Sequence, residues 1–289
     1  MKFAHILVIL DEPNRPQTAL KRAQRIAKDS PWAVKLSAVS FQHNALVEQA
    51  AAFDAKERAA VKESLIDKRS DWVAGLTKQY PELLQVQQVW TSDIAQWAAA
   101  NAKGYDLIIK TATGSKRARS ASDWMLLNSC PTHLLLVGHR KIRQPKRVLA
   151  ALDLDHKDTL HRKLNRKVLQ AAHAVTSLSS AELHAACAIE VSPALLDLDV
   201  VDERKAVNRI KKRTKDDLDK LLKPYGRVKR HFPAGRIGAA MADCVKEVEA
   251  DLLVVGMRAH KLKASLGLGS SAQRIVRQAP CDVLAVKAD

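Results

Sequence analysis

Two periodicities alternate along this chain from one end to the other. Short continuous apolar runs, rich in Val, Leu and Ile, occur at 5–10, 106–110, 133–137, 148–152, 251–256 and 281–287. That composition suits strands buried on both faces. Between them lie longer stretches whose apolar residues recur at helical spacing. In 18–28, Leu20, Ala23, Ile26 and Ala27 share a face, and in 53–79 the apolar side is Val61, Leu65, Ile66, Trp72, Val73 and Leu76. The first half therefore reads as strands at 5–10, 32–41, 84–90, 106–110 and 133–137. Helices are expected at 18–28, 53–79, 93–103 (capped by Ser92 or Asp93) and 120–128.

After a basic linker at 138–146 the order restarts. Strands are expected at 148–152, 182–189, 227–232, 251–256 and 281–287, with helices at 160–175, 204–222, 236–249 and 272–278. Asp11 maps onto Asp153 at an offset of 142, Asp106 onto Asp251 at 145, and Val137 onto Val286 at 149. Drifting offsets are what a duplicated domain with loop insertions and deletions produces. Alternating β and α segments of this length imply right-handed crossovers and a parallel sheet covered on both faces. The fold class is thus α/β, with two tandem doubly wound five-stranded parallel-sheet domains at 1–140 and 146–289.

The chemistry concentrates in 251–287. A strand ends at Gly256, a basic loop follows, and Gly269-Ser270-Ser271 opens a short helix. Gly256 is expected to take a backbone conformation closed to other residues, and Gly269 to let the chain pass close to a ligand. Free N–H groups and the positive dipole end at Ser270 and Ser271 favour an anion. An ordinary helix start remains the alternative reading of Gly269-Ser270, and a turn cap that of Asp153 at the end of 148–152.

Gly256, two residues, position 259, nine residues, then Gly269-Ser270 resembles the nucleotide-loop signature Gly-x2-Gly-x9-Gly-Ser/Thr of the universal stress protein family. This chain departs at the second glycine: Ala259 adds a methyl group where the family's backbone approaches the phosphates. The segment 122–127 (Ser-Asp-Trp-Met-Leu-Leu) with Cys130-Pro131 resembles the family's tandem-domain type, and the resemblance covers nearly the whole chain. It implies two domains of the adenine-nucleotide α-hydrolase-like fold, the second binding ATP or another adenine nucleotide, with Mg. Asp153 would take the nucleoside end. Gly256, Arg258, Ala259, Gly269, Ser270 and Ser271 would line the phosphates, with His260 and Lys261 adding charge.

The first half lacks that cradle. Thr111 replaces the first glycine, the loop is four residues shorter, Gly114-Ser115 comes too early, and Asp123-Trp124 stands where Gly-Ser belongs. A carboxylate there opposes phosphate, so no nucleotide is expected in this half. The resemblance implies that it stands in for the second protomer of the family's dimer, the two sheets meeting through 133–137 and 283–287. A further homodimer and protein partners stay open.

Composition narrows the classes. The 289 residues carry a net charge of +17, but the excess is spread, +8 over 1–145 and +9 over 146–289. Spread charge argues against a dedicated nucleic-acid surface. No apolar run approaches a membrane span, and the first residues read as a strand, not a signal peptide. Four dispersed cysteines without a Cys-x-x-Cys pair read as buried thiols in a reducing cytoplasm. His156, His161, His173 and His184 suggest metal by number, but surface histidines fit better, because no carboxylate–histidine pair of metalloenzyme spacing accompanies them. The basic run 210–215 reads as a solvated face paired to Asp216, Asp217 and Asp219. Trp72, Trp90, Trp97 and Trp124 read as core. No Walker motif and no general base stand near the loop, so any hydrolysis is expected to be slow and incidental. The function the resemblance implies is a stress-response binding protein, and the cysteine usage places it in the cytoplasm. An interaction scaffold without nucleotide, or a carrier of another anionic or amphipathic metabolite in the same cleft, is the alternative.

Overall fold

The structure, a computed structural model, describes residues 1–42, 54–115, 118–138, 144–156, 158–192, 202–257 and 271–288. The chain divides into two compact units, Phe3–Ala112 with Ala121–Ile142, and Met1–Lys2, Thr113–Ser120 with Arg143–Asp289.

In the first unit β1 (His5–Ile9), α1 (Thr18–Asp29), β2 (Lys35–Gln42), α2 (Ala55–Gln79), β3 (Leu83–Trp90), α3 (Ile94–Asn101), β4 (Leu107–Thr111), α4 (Ala121–Ser129) and β5 (His133–Val137) follow one another. Caps set two of the helix starts. Asp54 and Glu57 form a reciprocal capping box at α2. Asp93 accepts from the N–H groups of Ala95 and Gln96 at α3, which decides between the two expected caps. The strands lie parallel in the order β5-β4-β1-β2-β3. Strand β2 begins only at Lys35, because its ladder with β1 starts at the pair His5–Lys35.

The second unit repeats the plan with β6 (Arg147–Ala151), α5 (Thr159–Ser179), β7 (Glu182–Ala186), α6 (Glu203–Leu222), β8 (Lys229–His231), α7 (Ile237–Glu247), β9 (Leu252–Met257), α8 (Ser271–Gln278) and β10 (Asp282–Lys287). Its order is β10-β9-β6-β7-β8, again parallel. Strand β8 is shorter than the apolar pattern suggested: its ladder with β7 covers only Lys229–His231.

The central strands are buried on both faces: Ile6, Val8, Ile108, Ile109, Val148, Leu149, Leu253 and Val254 have essentially no exposure. That is why they read as continuous apolar runs, without alternation. The duplicated aspartates have a structural use. Asp106 accepts from the N–H groups of Ala4 and His5, and Asp251 from those of Lys146 and Arg147. Each pins the start of the first strand to the start of the fourth. In both units the first strand lies between the second and the fourth, so the chain's direction of winding reverses there. Beyond the carboxyl ends at such a point, open sheets leave a crevice.

Candidate functional site

In the second unit the crevice lies beyond β6 and β9, and Asp153 stands at its edge. Asn165, buried on α5, holds the Asp153 backbone from both sides. Its Oδ1 accepts from the Asp153 N–H at 3.1 Å and its Nδ2 donates to the Asp153 carbonyl at 2.5 Å. The Asp153 carboxylate turns back onto its own loop. Oδ1 accepts from the N–H groups of Asp155 and His156, and Oδ2 lies 2.8 Å from His156 Nδ1. Asp153 therefore caps a turn and faces the crevice at once.

A cavity of about 350 Å³ brings together Asp153, Gly256 and Ser271. Leu152, Leu164, Ile237, Met241 and Ile275 supply an apolar wall, and Asp155, His156 and His161 a polar rim. Cys187 also reaches it. Burial, with the charges of Asp155 and Asp153 adding to it, pushes that thiol up to about 12. A thiol held protonated at neutral pH is no nucleophile.

Gly256 behaves differently from the expectation. It sits in β9 paired with Val286, and it is not among the glycines with left-handed backbone, which among the described residues are Gly104, Gly226 and Gly235. Its bare Cα is needed because a Cβ there would lie 2.5 Å from Leu164 Cγ on α5. The expected need for an unusual backbone is thus replaced by a need for close helix–strand approach. Ser271 is the first residue of α8. Arg258, Ala259, Gly269 and Ser270, with His260 and Lys261, lie outside the described residues. Arg274, which the sequence reading passed over, stands one turn after Ser271, with Nη2 3.4 Å from Ser271 Oγ and Nη1 3.6 Å from Glu190. Its spacing of three from Ser271 was the available signal.

The corresponding place in the first unit is occupied by the unit's own side chains. Thr111 Oγ1 donates to Asp11 Oδ2 at 2.7 Å, the Thr18 N–H donates to the same oxygen, and the Ala19 N–H donates to Thr111 Oγ1. Gln17 plays the part of Asn165, accepting from the Asp11 N–H and donating to its carbonyl. Lys110 Nζ lies 2.7 Å from Asp123 Oδ1, both buried. The carboxylate expected to repel phosphate is thus neutralised by a lysine. Gly114–Ser115 forms an antiparallel ladder with Ala118–Arg119 instead of opening a helix.

His156 and His173 are exposed, as expected, and His161 is half-buried, but one of the four histidines is not a surface group. His184 is buried, and its Nδ1 lies 2.9 Å from His231 Nε2. Burial lowers the pKa of both. His173 packs edge-on against Tyr225. His156 and His161 stack with ring centroids 4.7 Å apart, and one ligand atom from each lies within 4.8 Å of the others and of an Asp153 oxygen. The carboxylate missing from the sequence reading was Asp153, three residues before His156. On α6, Asp219 pairs with Arg230 of β8 and Asp217 with Lys220, while Arg213 reaches Asp155 at 3.8 Å. The ion pair of the basic run 210–215 thus runs from Arg213 to the loop after β6, and the partners of Asp217 and Asp219, Lys220 and Arg230, lie outside the run. Trp72, Trp90, Trp97 and Trp124 are half-buried, not core, with Arg69 over Trp72 and Lys62 over Trp90.

Known proteins match this arrangement. The model of the universal stress protein family matches residues 144–287. A universal stress protein E homolog of Haemophilus influenzae is 24% identical, covering 99% of this chain and 98% of that protein. Universal stress protein E of Escherichia coli K12 is 22% identical, covering 99% and 95%. Among solved structures, a functionally unknown protein of Pseudomonas aeruginosa PAO1 aligns at a TM-score of 0.66 and 21% identity, covering 99% of this chain and 93% of that one. A universal stress protein of Archaeoglobus fulgidus aligns at 0.61 and 15%, covering 99% and 98%. Among the described residues no helix is long and apolar enough to cross a membrane. The duplicated sheet, the crevice in its second copy and these matches agree: the chain belongs to the universal stress protein family, as a tandem protein similar along its whole length to universal stress protein E.

Proposed function

We propose that this is a stress-response protein of two domains, 1–140 and 146–289, whose second domain binds an adenine nucleotide, ATP or a close relative, in the cytoplasm. The observation that supports this reading is the cavity at the switch point, with Asp153, Gly256 and Ser271 on its lining. Asp153 would meet the nucleoside end. Gly256, Arg258, Ala259, Gly269, Ser270 and Ser271 would surround the phosphates, the last at the start of a helix whose free N–H groups suit an anion. The first domain would hold no nucleotide and would serve as the built-in second half of a pseudo-dimer. In support, Asp11 is already bonded to Thr18 and Thr111. The nucleotide acts as a conformational ligand, not as fuel.

One observation favours a second reading. Much of the cavity lining is apolar, Leu152, Leu164, Ile237, Met241 and Ile275 included, which suits an amphipathic metabolite with an anionic head as well as an adenine ring.

Release of bound ligand by denaturing freshly purified protein, read by chromatography and mass spectrometry, separates the two. Calorimetry with Mg-ATP follows. One adenine nucleotide per chain is expected, lost in the Gly269→Asp, Ser270→Ala double variant. Two per chain would refute the reading of the first domain. An amphipathic metabolite in place of nucleotide, with no heat at millimolar Mg-ATP, would transfer the site to the second reading.

A further inference from the structure

The geometry points to a three-ligand site for a divalent transition metal, of the zinc class, formed by Asp153, His156 and His161 at the mouth of the second-domain cavity. Three donors of mixed chemistry converge there from two elements. Asp153 and His156 belong to the loop after β6, and His161 to the first turn of α5. One ligand atom from each lies within 4.8 Å of the other two. Zinc held at bonds of ~2.0–2.1 Å sets its ligand atoms roughly 3.3 Å apart in a tetrahedron. The side chains thus need to shift only by fractions of an ångström to a little over one.

The hydrogen bonds around the cluster define which atoms are free. His161 Nδ1 lies 2.5 Å from Asp158 Oδ2, and the His161 N–H donates to Asp158 Oδ1. A carboxylate at Nδ1 holds the ring as the Nδ1–H tautomer and leaves the Nε2 lone pair for a metal, the outer-shell arrangement common at zinc histidines. His156 Nδ1 and Asp153 Oδ2 meet at 2.8 Å, where a proton now bridges two groups that both ligate metals. The two rings stack at 20°, and a rotation of one ring would bring its in-plane lone pair onto an ion held by the other.

Charge favours a cation as well. Asp153, Asp155 and Asp158 stand within six residues, and among the described residues Arg213, 3.8 Å from Asp155, is the cation recorded against them. Two imidazoles and one carboxylate suit zinc, cobalt or nickel over magnesium or calcium. Three protein ligands leave a coordination position open, and all three residues line the cavity. The metal would therefore face whatever the cavity holds. The site stands whether or not the cavity takes a nucleotide, although Asp153 is common to both readings.

The test uses the full chain, stripped by chelator and free of nucleotide. Zinc is titrated by calorimetry and counted by elemental analysis, and cobalt(II) is followed by its visible absorption. Wild type is expected to hold one zinc more per chain than the His156→Ala, His161→Ala double variant, with a cobalt spectrum the variant lacks. Asp158→Asn, which touches no metal, should weaken zinc binding by roughly 10-fold or more. Circular dichroism of the metal-free variants should match wild type, separating lost ligands from lost fold. Equal zinc counts and affinities in wild type and double variant would overturn the site, as would no zinc bound by wild type at 100 μM, roughly a hundredfold above the micromolar affinity that ~8 kcal/mol of binding represents. ATP calorimetry on the stripped protein reads the nucleotide proposal separately.

Discussion

Replacing Gly256 by Ala adds one carbon where the packed structure has no room for it. The new Cβ would lie 2.5 Å from Leu164 Cγ, 2.8 Å from Cδ2 and 3.1 Å from Cδ1, whereas carbon atoms pack at about 3.5–4.0 Å. Neither side can yield freely. Gly256 is held in β9 by its pairing with β10, and Leu164 is buried on α5. Relief requires the leucine to leave its rotamer or the helix to move by roughly an ångström, and overpacking of this kind costs about 1–3 kcal/mol. For a domain of this size about 2 kcal/mol corresponds to a fall of roughly 4–8 °C in the midpoint of thermal unfolding. Leu164→Ala alone leaves a void at the cavity wall and costs about 2 kcal/mol. The double variant removes the clash, so its loss should fall short of the sum by about 1 kcal/mol or more. Thermal and urea unfolding of the four proteins, followed by circular dichroism, measures this. If Gly256→Ala stayed within about 0.5 kcal/mol of wild type, or the two changes simply added, the packing argument would fail. The glycine would then be better explained by approach to a ligand.

Two further outcomes follow from buried charge. Asp123→Ala removes the carboxylate 2.7 Å from the buried Lys110 ammonium and should lower stability by about 3 kcal/mol. The apolar pair Lys110→Met, Asp123→Leu should lose much less; a loss below about 1 kcal/mol for the single change in urea unfolding would refute the assignment. The second concerns His184 and His231, whose pKa values burial lowers from the usual 6.5. Glu182, Lys229, Arg147 and Glu247 face the pair and shift it further, the carboxylates upward and the cations downward. The unfolded chain binds protons more readily than the folded one below pH 6.5, so stability is full above that pH and is lost as pH falls through the folded values. Urea midpoints measured from pH 8 to 5 should decline more steeply for wild type than for His231→Gln, and identical slopes would refute the role of the pair.

The duplication, the strand positions and the identity of Asp106 with Asp251 were legible because each depends on local pattern. A strand buried on both faces must be apolar along its whole length, so β1, β4, β6 and β9 announced themselves to within a residue or two. The candidate crevice was legible for a related reason. In a doubly wound sheet the ends of the first and fourth strands are neighbours by topology, which places Asp153 and Gly256 together before any contact is known.

What the one-dimensional pattern could not carry was which distant residue each group meets. Gly256 looked like a turn glycine, but its partner, Leu164, lies 92 positions earlier and reaches it only through the docking of α5 on the sheet. Asp11 and Asp153 look equivalent in sequence. One is engaged by Thr111 across the sheet and the other by His156 in its own loop. Asp123 read as a charge hostile to phosphate until burial placed Lys110 against it. His156 and His161 showed no carboxylate partner in the pattern, because a helical repeat says nothing of Asp153 in the preceding loop. Hydrophobic periodicity records how much of a residue is buried, since that is set by the element it belongs to. The partner that satisfies it is set by strand register and helix docking, and these exist only once the chain has folded.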